Sequence, residues 1–321
     1  MVLSRLTNPF KLGTDTWDPT HRFETSWLLN PWLLSIIRTL IVRNPNPPLP
    51  TSKSQPLSSS SFLLYNLAPN TTSPQSIYAF TTLFFNLGWN CTHPSQGGCQ
   101  TSRRSFSYFT VLTYWGLAFY FAIAAAHTIS YTLHGRRALL DRWPRALQAL
   151  HSLYYTTIVT LPFLVTIVYW AVLYEGAWFP VRFNAWSNTT EHALNSVFAL
   201  FELVFPRTAP PPWIHLLWLI VILLAYLALA FVVLADQGWY TYSFLDHDAV
   251  GGRGLVAAYV LGIAVAIVVI FAIVWALIHF RVWITEARFG CQGKFAKDRS
   301  GRGDDAEMGH VAQKEPNRQS A

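Results

Sequence analysis

Charge is what this chain has least of. Only 12% of its 321 residues are Asp, Glu, Lys or Arg, about half the roughly 25% usual in soluble globular proteins. So few charges leave a water-exposed surface uncovered, which excludes a soluble cytosolic enzyme. Three Cys exclude a disulfide-knit scaffold and a multi-Cys zinc site. The motifs of familiar soluble enzymes are also missing: no G-x-S-x-G elbow, no H-E-x-x-H, no Walker loop and no G-x-G-x-x-G. Residues 1–25 lack an apolar h-region, so no cleavable signal peptide is predicted and the first span does the targeting. There is no internal repeat of the transporter kind. What the chain does have is apolar surface: 52% hydrophobic and 16% aromatic residues, with 14 Trp, and a mean hydropathy of +0.28. Those values exclude disorder for most of the length and point to an integral membrane protein.

A helix crossing ~30 Å of hydrocarbon needs about 20 mostly apolar residues. Ser107–Leu133, Leu150–Tyr174, Trp213–Ala235 and Leu255–Ile284 satisfy this. Glu191–Phe205 is shorter, but extending it back to Trp186 gives the length. Its His192, Asn195, Ser196 and Glu202 share one helix face, which predicts a span turned inward. Trp32–Val42 and Ile77–Trp89 are each too short to cross alone. Between them, Arg43–Ser76 holds seven Pro and eight Ser, a linker composition.

The segment 42–75 reads as the translation of a retained intron. Val42-Arg43-Asn44 can be encoded as GTA-AGA-AAC, a splice-donor pattern, and Ser73-Pro74-Gln75 as TCT-CCA-CAG, an acceptor ending in AG. Pro69-Asn70 permits CCT-AAC, which has the form of a branch site. The 34 codons preserve the frame, and their removal gives one continuous apolar helix. The alternative is a genuine loop between two half-helices. The expectation is therefore an all-α bundle of six transmembrane helices at 32–284, with an N-terminal segment at 1–31 and a disordered tail at 285–321.

Six crossings put both termini on one side. Counting by loop, that side carries sixteen Lys and Arg and the other only Arg103, Arg104, Arg182 and Arg253, so the termini are expected in the cytoplasm. Glycosylation sequons at Asn90 and Asn188 fall on the opposite side. Cys91 and Cys99 share an outer loop in which they form a disulfide or remain free thiols. Cys291 lies near the membrane, as a free thiol or a palmitoylation site. The net charge of +7 follows from the cytoplasmic excess and requires no nucleic acid.

Polar side chains at membrane depth are costly and mark candidate sites. Thr110, His192 and the Asp246–His247 pair fall in one stratum of the bundle. A threonine hydroxyl needs a base to become nucleophilic, and His is the usual one. A Thr bonded to its own helix and an interfacial His are the structural alternatives. His127, His151, His215 and His279 lie toward the other leaflet. Paired His of that kind can ligate haem or a metal, but interfacial histidines account for them, and no metal or cofactor is expected.

Three stretches carry a resemblance. The run SYFTVLTYWGLAFYFAI from Ser107, the pattern W-x-N-x-x-x-H from Trp186 to His192, and YSFLDH from Tyr242 are similar, in that order, to motifs of the androgen-induced-gene family of six-span membrane proteins, here its fungal branch. In fungal members the first span runs on without the insertion. Animal members are intramembrane threonine hydrolases of fatty acid esters of hydroxy fatty acids. The resemblance implies Thr110 as nucleophile and His192 as base, with Asp246 and Ser243 departing from the family's Glu and Pro. The expected function is an intramembrane lipid ester hydrolase in the endoplasmic reticulum or plasma membrane. In it Asn195 would orient the ester or donate to the oxyanion, with a helix–helix hydrogen bond as its structural alternative, and Asp246 or His247 would hold His192. The competing class is a non-enzymatic transporter or scaffold. Expected partners are membrane lipids and a lipid ester substrate.

Overall fold

The computed structural model describes residues 18, 20–39, 75–135, 138–291 and 293–295. The insertion and most of the tail read from the sequence lie outside these. The described residues form helices α1 (Pro31–Arg38), α2 (Gln75–Thr92), α3 (Gly98–Ser105), α4 (Phe109–Leu133), α5 (Arg145–Val168), α6 (Arg182–Thr189), α7 (Asn195–Val204), α8 (Ile214–Gln237) and α9 (Arg253–Val282). Among them the only β pairing is two isolated bridges, from Ser26 to Pro206 and to Lys294. The fold is all-α.

Among the described residues, four helices are long and apolar enough to cross a bilayer: Phe109–Leu133, Arg145–Leu173, Ile214–Gln237 and Arg253–Arg288. The protein is an integral membrane protein, but the expected six crossings are corrected to four among the described residues. The physical reasons are local. α1 has 8 residues, about 12 Å of helix. α2 carries Gln75, Ser76, Thr81, Thr82, Asn86 and Asn90 within its 18 residues. The run from α6 to α7 interrupts its apolar positions with amides, hydroxyls and acids. The six-crossing count behind the placement of both termini in the cytoplasm is therefore not met.

α4 is the hub. Tyr114, Leu117, Ala118, Tyr120 and Phe121 are buried on it, and α1, α2 and α5 all pack against it. α8 is peripheral: 17% of its apolar window is buried, against 56% for α4, so most of α8 is left to face lipid. Threonines inside the helices mostly return their hydroxyls to the carbonyl four residues back, as Thr113, Thr128, Thr132, Thr156 and Thr160 do. This satisfies them without water.

One end of the bundle is closed by the segment before α1. Ser26 Oγ donates to the Phe205 carbonyl at 2.6 Å and Trp27 Nε1 to that of Val204 at 2.8 Å, capping orphan carbonyls at the end of α7. Arg22 grips Glu286 through two bonds of 2.8 Å. Arg281 donates to the carbonyls of Leu203, Pro206 and Thr208. Asn30 starts α1 by accepting from Leu33 N at 2.8 Å. At the opposite end a Cys91–Cys99 disulfide ties α2 to α3.

Candidate functional site: a two-part cavity

α5 ends in a π-helical turn, Tyr169–Leu173, and α6 passes into α7 through another, Thr190–Leu194. Such turns re-aim side chains and concentrate at functional sites. Here the two face each other. The Tyr169 ring lies on that of His192, centroids 3.5 Å apart and nearly parallel. The Tyr169 hydroxyl donates to Asn188 Oδ1 at 2.8 Å, and Trp170 Nε1 donates to the His192 carbonyl at 3.0 Å. His192 Nδ1 meets the Asn188 carbonyl at 3.0 Å, the geometry of a ring N–H donor.

Beside this junction is a polar vestibule of about 330 Å³. Asn86, Asn90, Thr110, Asn184, Asn188, Glu191, His192 and Tyr242 supply its polar wall, and Trp115, Phe183 and Leu83 its apolar part. Glu191 Oε1 accepts from Asn86 Nδ2 at 2.6 Å. An apolar chamber of about 120 Å³ lies between α5, α8 and α9, lined by Leu164, Val168, Ile220, Leu223, Ile263 and Ala264 among others. Thr110, Tyr169, Leu173 and Tyr242 line both spaces, so the two meet there.

Tyr242 is the hinge of this arrangement. Its hydroxyl accepts from Phe109 N at 3.0 Å, capping α4, and it also engages Thr110. Thr110 sits too early in α4 to bond back within the helix, which leaves its side chain to Tyr242 at the cavity wall. Both Thr110 and His192 therefore line one space, but the expected catalytic dyad does not form. Among the described residues no hydrogen bond joins them; Tyr242 takes Thr110, while Asn188 and Tyr169 take His192. The supporting residues are placed elsewhere. Asn195 Oδ1 accepts from Thr166 at 3.1 Å and from Ser196 N at 2.6 Å, a helix-to-helix link. Asp246 Oδ1 caps Asp248 N at 3.0 Å, and His247 Nδ1 pairs with Asp248 at 2.9 Å. Asp246, His247 and Asp248 cluster closely enough to be considered as metal ligands, but they bind one another and a turn, at the surface. Of the sequon residues, Asn90 and Asn188 both line the vestibule, and Asn188 Nδ2 donates to the Asn184 carbonyl at 2.9 Å.

The remaining histidines are structural. The His215 Nδ1 pairs with Thr156 Oγ1 at 2.7 Å, His279 stacks on Trp275, and the His127 and His151 rings touch at 5.3 Å. Deeper in the bundle Glu202 meets Arg38 in a two-bonded pair at 2.8 Å, both side chains fully buried. Tyr120 donates to the same carboxylate at 3.0 Å, and Arg38 also reaches Thr128 at 2.8 Å. Sequence reasoning missed Arg38, Asn86, Glu191, Tyr169 and Tyr242. Arg38 carried a usable signal: an arginine within an apolar run requires an acid at the same depth. Tyr242 was visible only as the first residue of the YSFLDH stretch, and Tyr169 and Glu191 carried no signal, since the π turns that aim them leave no mark in periodicity.

Comparison with protein-family models, curated proteins and solved structures finds no match for this chain. With four crossings in place of six, the resemblance to the androgen-induced-gene family is corrected as well. The threonine ester hydrolase it implied falls with the missing dyad.

Proposed function

We propose that this membrane protein binds one membrane lipid, its acyl chain in the apolar chamber and its head group in the vestibule. The observation that carries the reading is the shared wall of Thr110, Tyr169, Leu173 and Tyr242. A continuous space, apolar at one end and amide- and hydroxyl-lined at the other, is complementary to an amphipath and poorly suited to a solute of uniform polarity. α8 covers the chamber while burying little of its own apolar window, which favours a ligand drawn from the bilayer.

The test is photo-cross-linking of the full chain in detergent micelles with a diazirine-bearing lipid. Labelling should saturate and map to chamber residues. Ala264→Trp puts bulk into the chamber from α9 and should reduce labelling about tenfold, whereas unsaturable labelling that ignores Ala264→Trp contradicts the reading.

A further inference from the structure

The vestibule contains no Lys or Arg among its lining residues. Its acidic and basic side chains are Glu191 and His192, each with a first partner inside the protein. An anionic head placed here would lose its hydration and gain no cation, and desolvated charge without a partner is strongly disfavoured. The wall offers instead uncharged donors and acceptors: four asparagine amides, Thr110 and Ser187 hydroxyls, and the Tyr242 phenol. Two buried atoms of lining residues have no hydrogen-bond partner, the acceptor Asn86 Oδ1 and the donor Trp115 Nε1.

We propose that the vestibule selects lipids with an uncharged, hydroxyl- or amide-bearing head and rejects free fatty acids. This rests on the lipid-binding reading above. The experiment is competition against a diazirine-bearing monoacylglycerol on the full chain in micelles at pH 8, with unlabelled monoacylglycerol in one arm and unlabelled fatty acid in the other. Monoacylglycerol should compete about tenfold better. In Asn90→Arg, which adds a cation at the vestibule wall, fatty acid should close that gap. Equal competition in the unsubstituted protein, or a gap that Asn90→Arg leaves untouched, overturns the selectivity while leaving lipid binding standing. Labelling that neither competitor reduces overturns both.

The buried faces of α1 and α2 carry a second, independent inference. They fall on Pro31, Leu34, Ser35 and Arg38 in α1, and on Ser76, Ala79, Thr82 and Leu83 in α2, beside Gln75. Removing the 34 residues from 42 to 75 would renumber the second set as 42, 45, 48 and 49. The series 31, 34, 35, 38, 42, 45, 48, 49 is then one uninterrupted helix face. Both halves also lie on α4, in antiparallel order: Arg38 reaches Thr128, and Ser76 Oγ donates to the Ala118 carbonyl at 3.2 Å. We infer that α1 and α2 are halves of one helix and that a spliced message lacking codons 42–75 encodes the uninterrupted form. Amplifying the transcript across the junction should reveal the shorter message. The shortened protein should be monodisperse in detergent, with a Tm at least equal to that of the full chain. Only full-length message, or a shortened chain that aggregates, overturns the inference.

Discussion

Arg38 and Glu202 show what a single pair can decide in a nearly uncharged protein. Neither side chain touches solvent, and two further groups, Tyr120 and Thr128, complete their hydrogen bonds. Removing one member leaves a buried charge alone. Arg38→Met should cost about 3–5 kcal/mol, while Arg38→Met with Glu202→Leu should recover most of it; thermal unfolding in detergent reads both. Glu24 offers a different test. It is buried with Oε1 unpartnered, and burial, with Asp18 and Asp141 nearby, pushes its carboxyl from 4.5 up to about 8, against a smaller pull from Arg38. The folded protein then holds a proton that the unfolded chain releases, so stability falls as pH rises from about 4.5 to 8 and levels off above. Glu24→Gln should flatten that slope; a slope unchanged in the variant would place its origin elsewhere. The sequence did not reveal either residue's role. Arg38 lay in a run read for its apolar character, and Glu24 in a segment whose docking under α7 depends on contacts distant in sequence, such as Ser26 with Phe205, 179 residues apart.

At the level of elements, the long helices were legible because length and apolarity are local properties. The observed α4, α5, α8 and α9 overlap the four unambiguous spans read from the sequence. Glu191–Phe205 illustrates the limit. Its polar face could be read from spacing, but what that face does depends on its partner. Asn195 and Ser196 meet the Pro162 carbonyl and Thr166 on α5, and Glu202 meets α1, so the face joins helices together. Asn195→Ala should accordingly lower stability by about 1–3 kcal/mol, because Thr166 and Ser196 N lose an acceptor. Lipid labelling per folded molecule should stay within about twofold, whereas a loss of labelling at unchanged Tm would return Asn195 to the binding site. Thr110 and His192 could be placed at one depth from the topology, yet depth does not fix pairing. Two π turns and Tyr242 decide which neighbour each side chain meets.

Across the whole molecule, the asymmetry of packing is what links fold to function. α4 and its neighbours form a tightly filled half, closed at one end by the segment before α1 and joined by Leu219 of α8 and Ile267, Phe271 and Ile278 of α9, while other stretches of α8 and α9, such as Leu223 and Ile263, line the chamber. The vestibule opens beside the disulfide-tied end, with Asn90 one residue from Cys91. The lipid-binding proposal predicts that this plan holds one lipid, lengthwise across the two spaces. The most direct measurement is native mass spectrometry of the full chain released from lipid nanodiscs. A single lipid retained by the unsubstituted protein at activation energies that strip the annular lipids, and lost in Ala264→Trp, is the predicted result. A bare protein at those energies, or an adduct that Ala264→Trp leaves in place, would contradict it.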